Sequence, residues 1–210
     1  MMDKIILDFD GTLLNSKYRH KKLIYDILHS RAAQIKFADL ADFVEYKRNG
    51  KSTLMYLNER YPNLDNSDIN QEWISKIENI EYQKYDKLYD DTLIFLEALK
   101  RKYSIILVTS RKNKEELFNQ LKKFNLTEYF NNVVVVNPGE SKYKKVIELF
   151  KVIKYVIGDT EDDYELATKF DCIFFAMNRG FRNKEFWRRQ KVYSYAKLLT
   201  ILPNINILND

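Results

Sequence analysis

Five short apolar runs recur along the chain, at Lys4 to Phe9, Ser104 to Thr109, Val133 to Val136, Tyr155 to Ile157 and Cys172 to Phe175. Each has the length of a strand. Around four of them a charged, amphipathic stretch of helical length follows or intervenes, the alternation that builds a parallel sheet with helices on both faces. The first run is the exception. After Phe9 the pattern turns helical for roughly 75 residues, far more than one connection in a compact domain needs. Within that stretch Leu23, Ile24, Ile27 and Leu28 share a helical face, as do Phe37, Leu40, Ala41 and Val44, then Leu54, Met55 and Leu57, then Trp73, Ile77 and Ile80. Turn residues at Tyr61-Pro62-Asn63 and Asp65-Asn66-Ser67 separate the third stripe from the fourth. The pattern therefore predicts an α/β core from residues 1–14 and 90–210, interrupted at 15–89 by an inserted, all-helical domain of four helices. Thr92 to Lys100 reads as the helix that leads back into the sheet. There is no internal repeat.

In an open parallel sheet, ligands gather beyond the carboxyl ends of the strands, so the strand ends are where chemistry is sought. The first run ends Asp8-Phe9-Asp10-Gly11-Thr12. Period-2 geometry points both carboxylates to one side, and two such charges call for a cation; hard oxygen ligands suit Mg²⁺. The run Tyr155 to Ile157 ends Gly158-Asp159-Thr160-Glu161-Asp162-Asp163, which reads either as an acidic helix start favoured by the dipole or as further metal ligands. If the two strands are neighbours, Asp8, Asp10 and Asp159 converge on one ion. A third run ends Thr109-Ser110-Arg111, a hydroxyl, helix-start amides and a guanidinium that suit an anion or form a plain N-cap. Lys142, after the turn Pro138-Gly139-Glu140-Ser141, opens a helix whose lysines are either a solvated face or a source of one ammonium for the same crevice. A carboxylate nucleophile, a second carboxylate, a divalent cation, a hydroxyl-amide pocket and a lysine are the parts of phosphoryl transfer through an aspartyl-phosphate.

Composition narrows the picture without redirecting it. With 45% hydrophobic and 14% aromatic residues the 210-residue chain is neither disordered nor low-complexity. Its 35 basic against 30 acidic residues leave +5, spread along the chain, and no groove-reading motif accompanies it, so no nucleic-acid partner is expected. Trp187-Arg188-Arg189 reads as a basic surface over a buried ring. The lone Cys172 reads as a buried strand thiol, and with no long apolar span and no leader-like start the expected setting is soluble and cytoplasmic. Only 5 glycines occur where usage of about 7% gives about 15, so each marks a place of interest.

Asp8-Phe9-Asp10-Gly11-Thr12-Leu13, Thr109-Ser110, Lys142 and Gly158-Asp159 through Asp163 follow the order and rough spacing of the four motifs of the haloacid dehalogenase superfamily. The resemblance covers nearly the whole chain and is nearest the phosphoglycolate phosphatase-like subfamily, whose helical cap is inserted into a Rossmann-like core after the first motif. It implies a phosphatase with Asp8 as nucleophile and Mg²⁺ ligand, and Asp10 as general acid and base with its main-chain carbonyl on the metal. It further implies Thr109 and Lys142 on the phosphoryl oxygens, Asp159 as third protein ligand and Asp163, or else Asp162, as the last acid. Asp10 argues against dehalogenation, since dehalogenases lack that second acid. The implied substrate is a small phosphorylated metabolite read by the cap. Its candidate contacts are Ser110, Arg111, His20, Arg48 and Lys51, each with a solvated or locally paired alternative; for Arg111 the alternative is Glu115 one turn on. Gly50-Lys51-Ser52 is no P-loop, because Glu45 stands where the first glycine belongs. A phosphomutase on a sugar phosphate and a non-catalytic binding protein are the rival readings, and the sequence leaves the oligomeric state open.

Overall fold

The computed structural model describes residues 2–205; Met1 and residues 206–210, the end of the expected core segment, lie outside the described residues. Eight strands occur among these: β1 (Asp3–Leu7), β2 (Leu14–Asn15), β3 (Lys87–Leu88), β4 (Tyr103–Ser110), β5 (Asn132–Val136), β6 (Tyr155–Gly158), β7 (Ile173–Met177) and β8 (Ser194–Tyr195). Six form one parallel sheet in the order β5-β4-β1-β6-β7-β8. β2 and β3 pair antiparallel where the chain leaves and re-enters the core. The central strands are rich in Ile, Leu and Val because both of their faces are covered.

Side-chain alternation sorts the core into two layers. Ile5, Leu7, Ile105, Leu107, Tyr155 and Ile157 face α6 (Thr92–Leu99), α7 (Lys114–Lys123) and a 3-10 segment, Leu198–Ile205. Ile6, Ile106, Val108 and Val156 face α8 (Lys142–Leu149) and α9 (Glu161–Lys169). A last helix, α10 (Lys184–Arg189), buries Trp187, whose indole N–H donates to the Met177 carbonyl at 3.1 Å.

Between β2 and β3 lie α1 (Lys17–Arg31), a 3-10 turn at Phe37–Leu40, α2 (Phe43–Arg48), α3 (Thr53–Arg60), α4 (Asn66–Lys76) and α5 (Ile80–Gln83), packed around an apolar cluster of their own. The second expected stripe is broken into the 3-10 turn and α2, since Ala41 and Asp42 separate them. In α3 the buried face is Thr53, Tyr56 and Leu57, leaving Leu54 and Met55 of the expected stripe exposed, because the neighbouring helices meet a face turned away from them. Ile80 opens α5 instead of extending α4 and is exposed. Cys172 stands just ahead of β7 and is half-buried, not enclosed in the strand. No helix among the described residues is long and apolar enough to cross a membrane.

Candidate active site

Register sets the site. Leu7 of β1 pairs with Leu107 of β4 on one side and with Ile157 of β6 on the other, so the three strands deliver their carboxyl ends to the same edge of the sheet, β4 running on to Ser110. Asp8, Thr109 and Asp159 therefore emerge side by side, and all three are buried. α8 then aims Lys142 into the group from the neighbouring crossover. Its Nζ donates to Asp8 Oδ1 at 2.7 Å and to Asp163 Oδ1 at 2.6 Å.

Carboxylate oxygens of Asp8, Asp159 and Asp163 lie within 4.8 Å of one another. Burial, opposed by Lys142 and reinforced by Asp163, pushes Asp8 up to about 7. Burial and then the Asp8 and Asp163 charges push Asp159 well above the carboxylate range. Three acids forced together out of water, with one ammonium among them, fit a hard divalent cation held by Asp8 and Asp159 with Asp163 behind. Of the two candidates for the last acid, Asp163 is buried within this cluster and Asp162 is exposed beside it. Asp163 also closes a capping box with Thr160, so the acidic helix start is both structural and part of the cluster.

Two glycines let the walls close over Asp159. A Cβ on Gly11, whose φ is +85°, would lie 2.2 Å from Asp159 Oδ2, and one on Gly180 would lie 2.0 Å from the same atom. Only hydrogen fits at either place. Beside them the Phe181 N–H donates to Asp159 Oδ2, fixing the carboxylate from the loop after β7.

The Asp10 side chain is not in the convergent set. β1 ends at Leu7 and the backbone turns at Gly11, so period-2 geometry no longer applies and the two carboxylates diverge. Asp10 Oδ1 accepts from Arg19 at 2.5 Å and Oδ2 accepts from Arg111 at 2.7 Å. Burial raises this carboxyl, but Arg111 and Arg19 outweigh it and hold Asp10 below the usual range. Arg111 thus pairs with Asp10, and Gln120 takes the place expected of Glu115.

The remaining candidates separate. Ser110 is half-buried at the strand end beside Thr109. The His20 ring lies 4.4 Å from the Phe181 ring, tilted at 44° to it, and meets Trp73 edge-on at 5.3 Å. Burial, then Lys47, Arg19 and Arg111, drive its imidazole well below its ordinary value, so it is neutral. Lys47 lies 4.4 Å over the Trp73 ring and donates to Thr53 Oγ1 at 3.0 Å. His20 Nδ1 and Trp73 Nε1 are buried with no protein partner. Arg48 is not in this group: it donates to the carbonyls of Asn178 at 2.7 Å and Gly180 at 3.2 Å. Lys51 is exposed and pairs with Glu59 at 3.4 Å.

Arg19, Asp86, Gln120 and Lys47 escape the motif reading. Arg19 and Gln120 had a signal all the same, since each sits on the apolar stripe of its helix, with Leu23 and Ile27 or with Leu117 and Leu121. A polar residue in such a stripe has a buried partner to find.

A family model described as haloacid dehalogenase-like hydrolase matches residues 5–177. No curated protein matches in sequence. Among solved structures, a haloacid dehalogenase-like family hydrolase from Streptococcus pneumoniae superposes with a TM-score of 0.75 at 17% identity, covering 98% of this chain and 99% of that one. A predicted phosphoglycolate phosphatase from Haemophilus somnus gives 0.73 at 17%, covering 98% of each chain. A predicted phosphatase from Clostridium acetobutylicum gives 0.69 at 22%, again with 98% of each. Acids at the level ends of β1 and β6, the lysine of α8 between them and a match over most of the chain lead to one assignment: this protein belongs to the haloacid dehalogenase-like hydrolase family.

Proposed function

We propose that the protein is a Mg²⁺-dependent phosphatase that releases phosphate from a small phosphorylated metabolite, with the helices of residues 15–89 acting as its cap. The observation that carries this reading is the buried Asp8, held by Lys142 beside Asp159 and Asp163 at the open end of the sheet. Asp8, Asp159 and the main-chain carbonyl of Asp10 would hold the Mg²⁺, and the chemistry it would supply there is charge neutralisation between an anionic carboxylate and an anionic phosphate.

Asp8 attacks phosphorus in line as the phosphorus–oxygen bond breaks, and the leaving oxygen takes a proton from the protonated form of Asp10, a form that Arg111 and Arg19 keep scarce and make strongly acidic. Asp10 then takes a proton from water, which attacks the aspartyl-phosphate and releases inorganic phosphate with Asp8 restored. Thr109, the Ser110 segment and Lys142 stabilise the phosphoryl oxygens. The rest of the substrate lies against His20, Lys47, Trp73 and Arg111, with Phe181 closing one side. Arg48 and Lys51 are occupied elsewhere and contribute less. The description of one structural neighbour as a phosphoglycolate phosphatase supports a compact, acidic phosphomonoester.

The test is hydrolysis of p-nitrophenyl phosphate with Mg²⁺, followed by a phosphate-release panel of sugar phosphates, phosphoglycolate, nucleotides and amino-acid phosphates. Asp8→Asn is expected to lower turnover at least about 10³-fold, since residues that act as a unit lose most of their effect together. Near-normal turnover of that variant excludes the mechanism.

A further inference from the structure

Asp10 belongs to a closed ring of side-chain contacts. Its Oδ2 accepts from Arg111 Nε at 2.7 Å, and Arg111 Nη2 donates to Gln120 Oε1 at 3.1 Å. Gln120 Nε2 donates to Asp86 Oδ2 at 2.7 Å, and that oxygen lies 3.2 Å from Arg19 Nη1. Arg19 Nη2 returns to Asp10 Oδ1 at 2.5 Å. The five members come from five segments: the turn after β1, the loop after β4, α7, the residue before β3, and α1.

Arg19, Asp86, Arg111 and Gln120 are each at most 4% exposed. Two guanidiniums, two carboxylates and one amide in so dry a place are a poor source of stability, because desolvation offsets most of the attraction. What the arrangement does supply is direction. An aspartate carboxyl turns readily about its last bond, but here each oxygen is claimed by a different arginine. Each arginine has a second contact behind it, Arg111 a hydrogen bond to the Gln120 carbonyl and Arg19 an ion pair with Asp86 that lacks hydrogen-bond alignment. Gln120 links those two supports by donating an N–H of its amide to Asp86, so neither arginine can move without breaking a second contact.

We infer that Gln120 and Asp86 are positioning residues for Asp10, acting through Arg111 and Arg19 to fix its carboxylate for proton transfer. Neither touches the three convergent acids. The inference rests on the proposed role of Asp10 as acid and base, and it assigns that role a support that the sequence motifs do not contain.

The experiment separates the two half-reactions with p-nitrophenyl phosphate and Mg²⁺. The nitrophenolate leaves without a proton, so formation of the phospho-enzyme needs Asp10 little, whereas its hydrolysis needs Asp10 to deprotonate water. Rapid mixing of Gln120→Met is expected to give a p-nitrophenol burst with a rate within about threefold of wild type. Steady-state turnover is expected to fall about tenfold or more, with KM for a slow alkyl phosphate such as glycerol phosphate changed less than about twofold. Asp86→Ala, read the same way, is the second variant in case Gln120→Met folds poorly. A purely structural role would lower burst and steady state in proportion, and that result, or no change in either variant, overturns the inference while leaving the phosphatase intact. Wild-type protein with no turnover that depends on Asp8 overturns both.

Discussion

Lys47 is a cation among rings with no carboxylate among the described residues to pair with. Burial first, then the Arg182 charge, pulls its ammonium down to about 7 from the ordinary 10.5. Between those values the unfolded chain binds the proton and the folded chain does not, so the contribution of this group to stability rises with pH across that window. Below about pH 7 the folded protein bears the full cost of the buried charge. Lys47→Met is therefore expected to be more stable than wild type in urea denaturation at pH 6.5, with the gain shrinking toward pH 9.5. A gain independent of pH would mean that the ammonium is well solvated. His20, one helix away, is neutral in the folded chain and protonated in part in the unfolded chain at pH 6.5, but wild type and variant share that contribution and it cancels from the comparison. The same residue scale decides what the sequence could reveal. Asp8, Asp159, Lys142 and Thr109 sit in short motifs at strand ends or a helix start, so their placement at one edge of the sheet was legible. Arg19, Asp86 and Gln120 meet across gaps of many residues, where no local pattern operates, and only their misfit in apolar stripes hints at them.

Elements were legible where a period had room to repeat. The five long strands and α6 fall within about two residues of the apolar runs that mark them, as boundaries usually do. β2, β3 and β8 have two residues each, too few for any alternation, and exist because neighbouring backbone offers partners. The split of the second stripe was hidden for a similar reason, since four apolar positions fit one helix or a 3-10 turn and a short helix equally well. α7 carries a cap that can be tested. Asn113 Oδ1 accepts from the Glu116 N–H at 3.1 Å, while Glu78 accepts from the Asn113 N–H at 2.9 Å. Asn113→Ala is expected to cost about 1 kcal/mol in urea unfolding. A loss within experimental error would assign the whole cap to Glu78.

For the whole molecule, the acid cluster is expected to make stability depend on a divalent cation. An ion that binds only the folded state at about 100 times its dissociation constant adds about 2.7 kcal/mol, which for a chain of this size is about 5–10 °C in Tm. Calorimetry with and without Mg²⁺ is expected to show that rise in wild type. Asp159→Asn should lose it and melt higher than wild type in chelator, because one of three crowded charges is gone. An undiminished rise would place the ion elsewhere. The two halves of the fold also hold one another in an uneven way. Arg48 reaches across to the carbonyls of Asn178 and Gly180, while Arg182 and Arg189 reach back to those of Lys47 and Asn49. All four acceptors are main-chain atoms, present whatever side chain a mutation installs. At Lys47, Asn49 and Asn178 a change of side chain therefore leaves the acceptor in place, whereas replacing any of the three arginines removes its contact outright. Gly180 is held fixed for the separate reason that a Cβ there would strike Asp159.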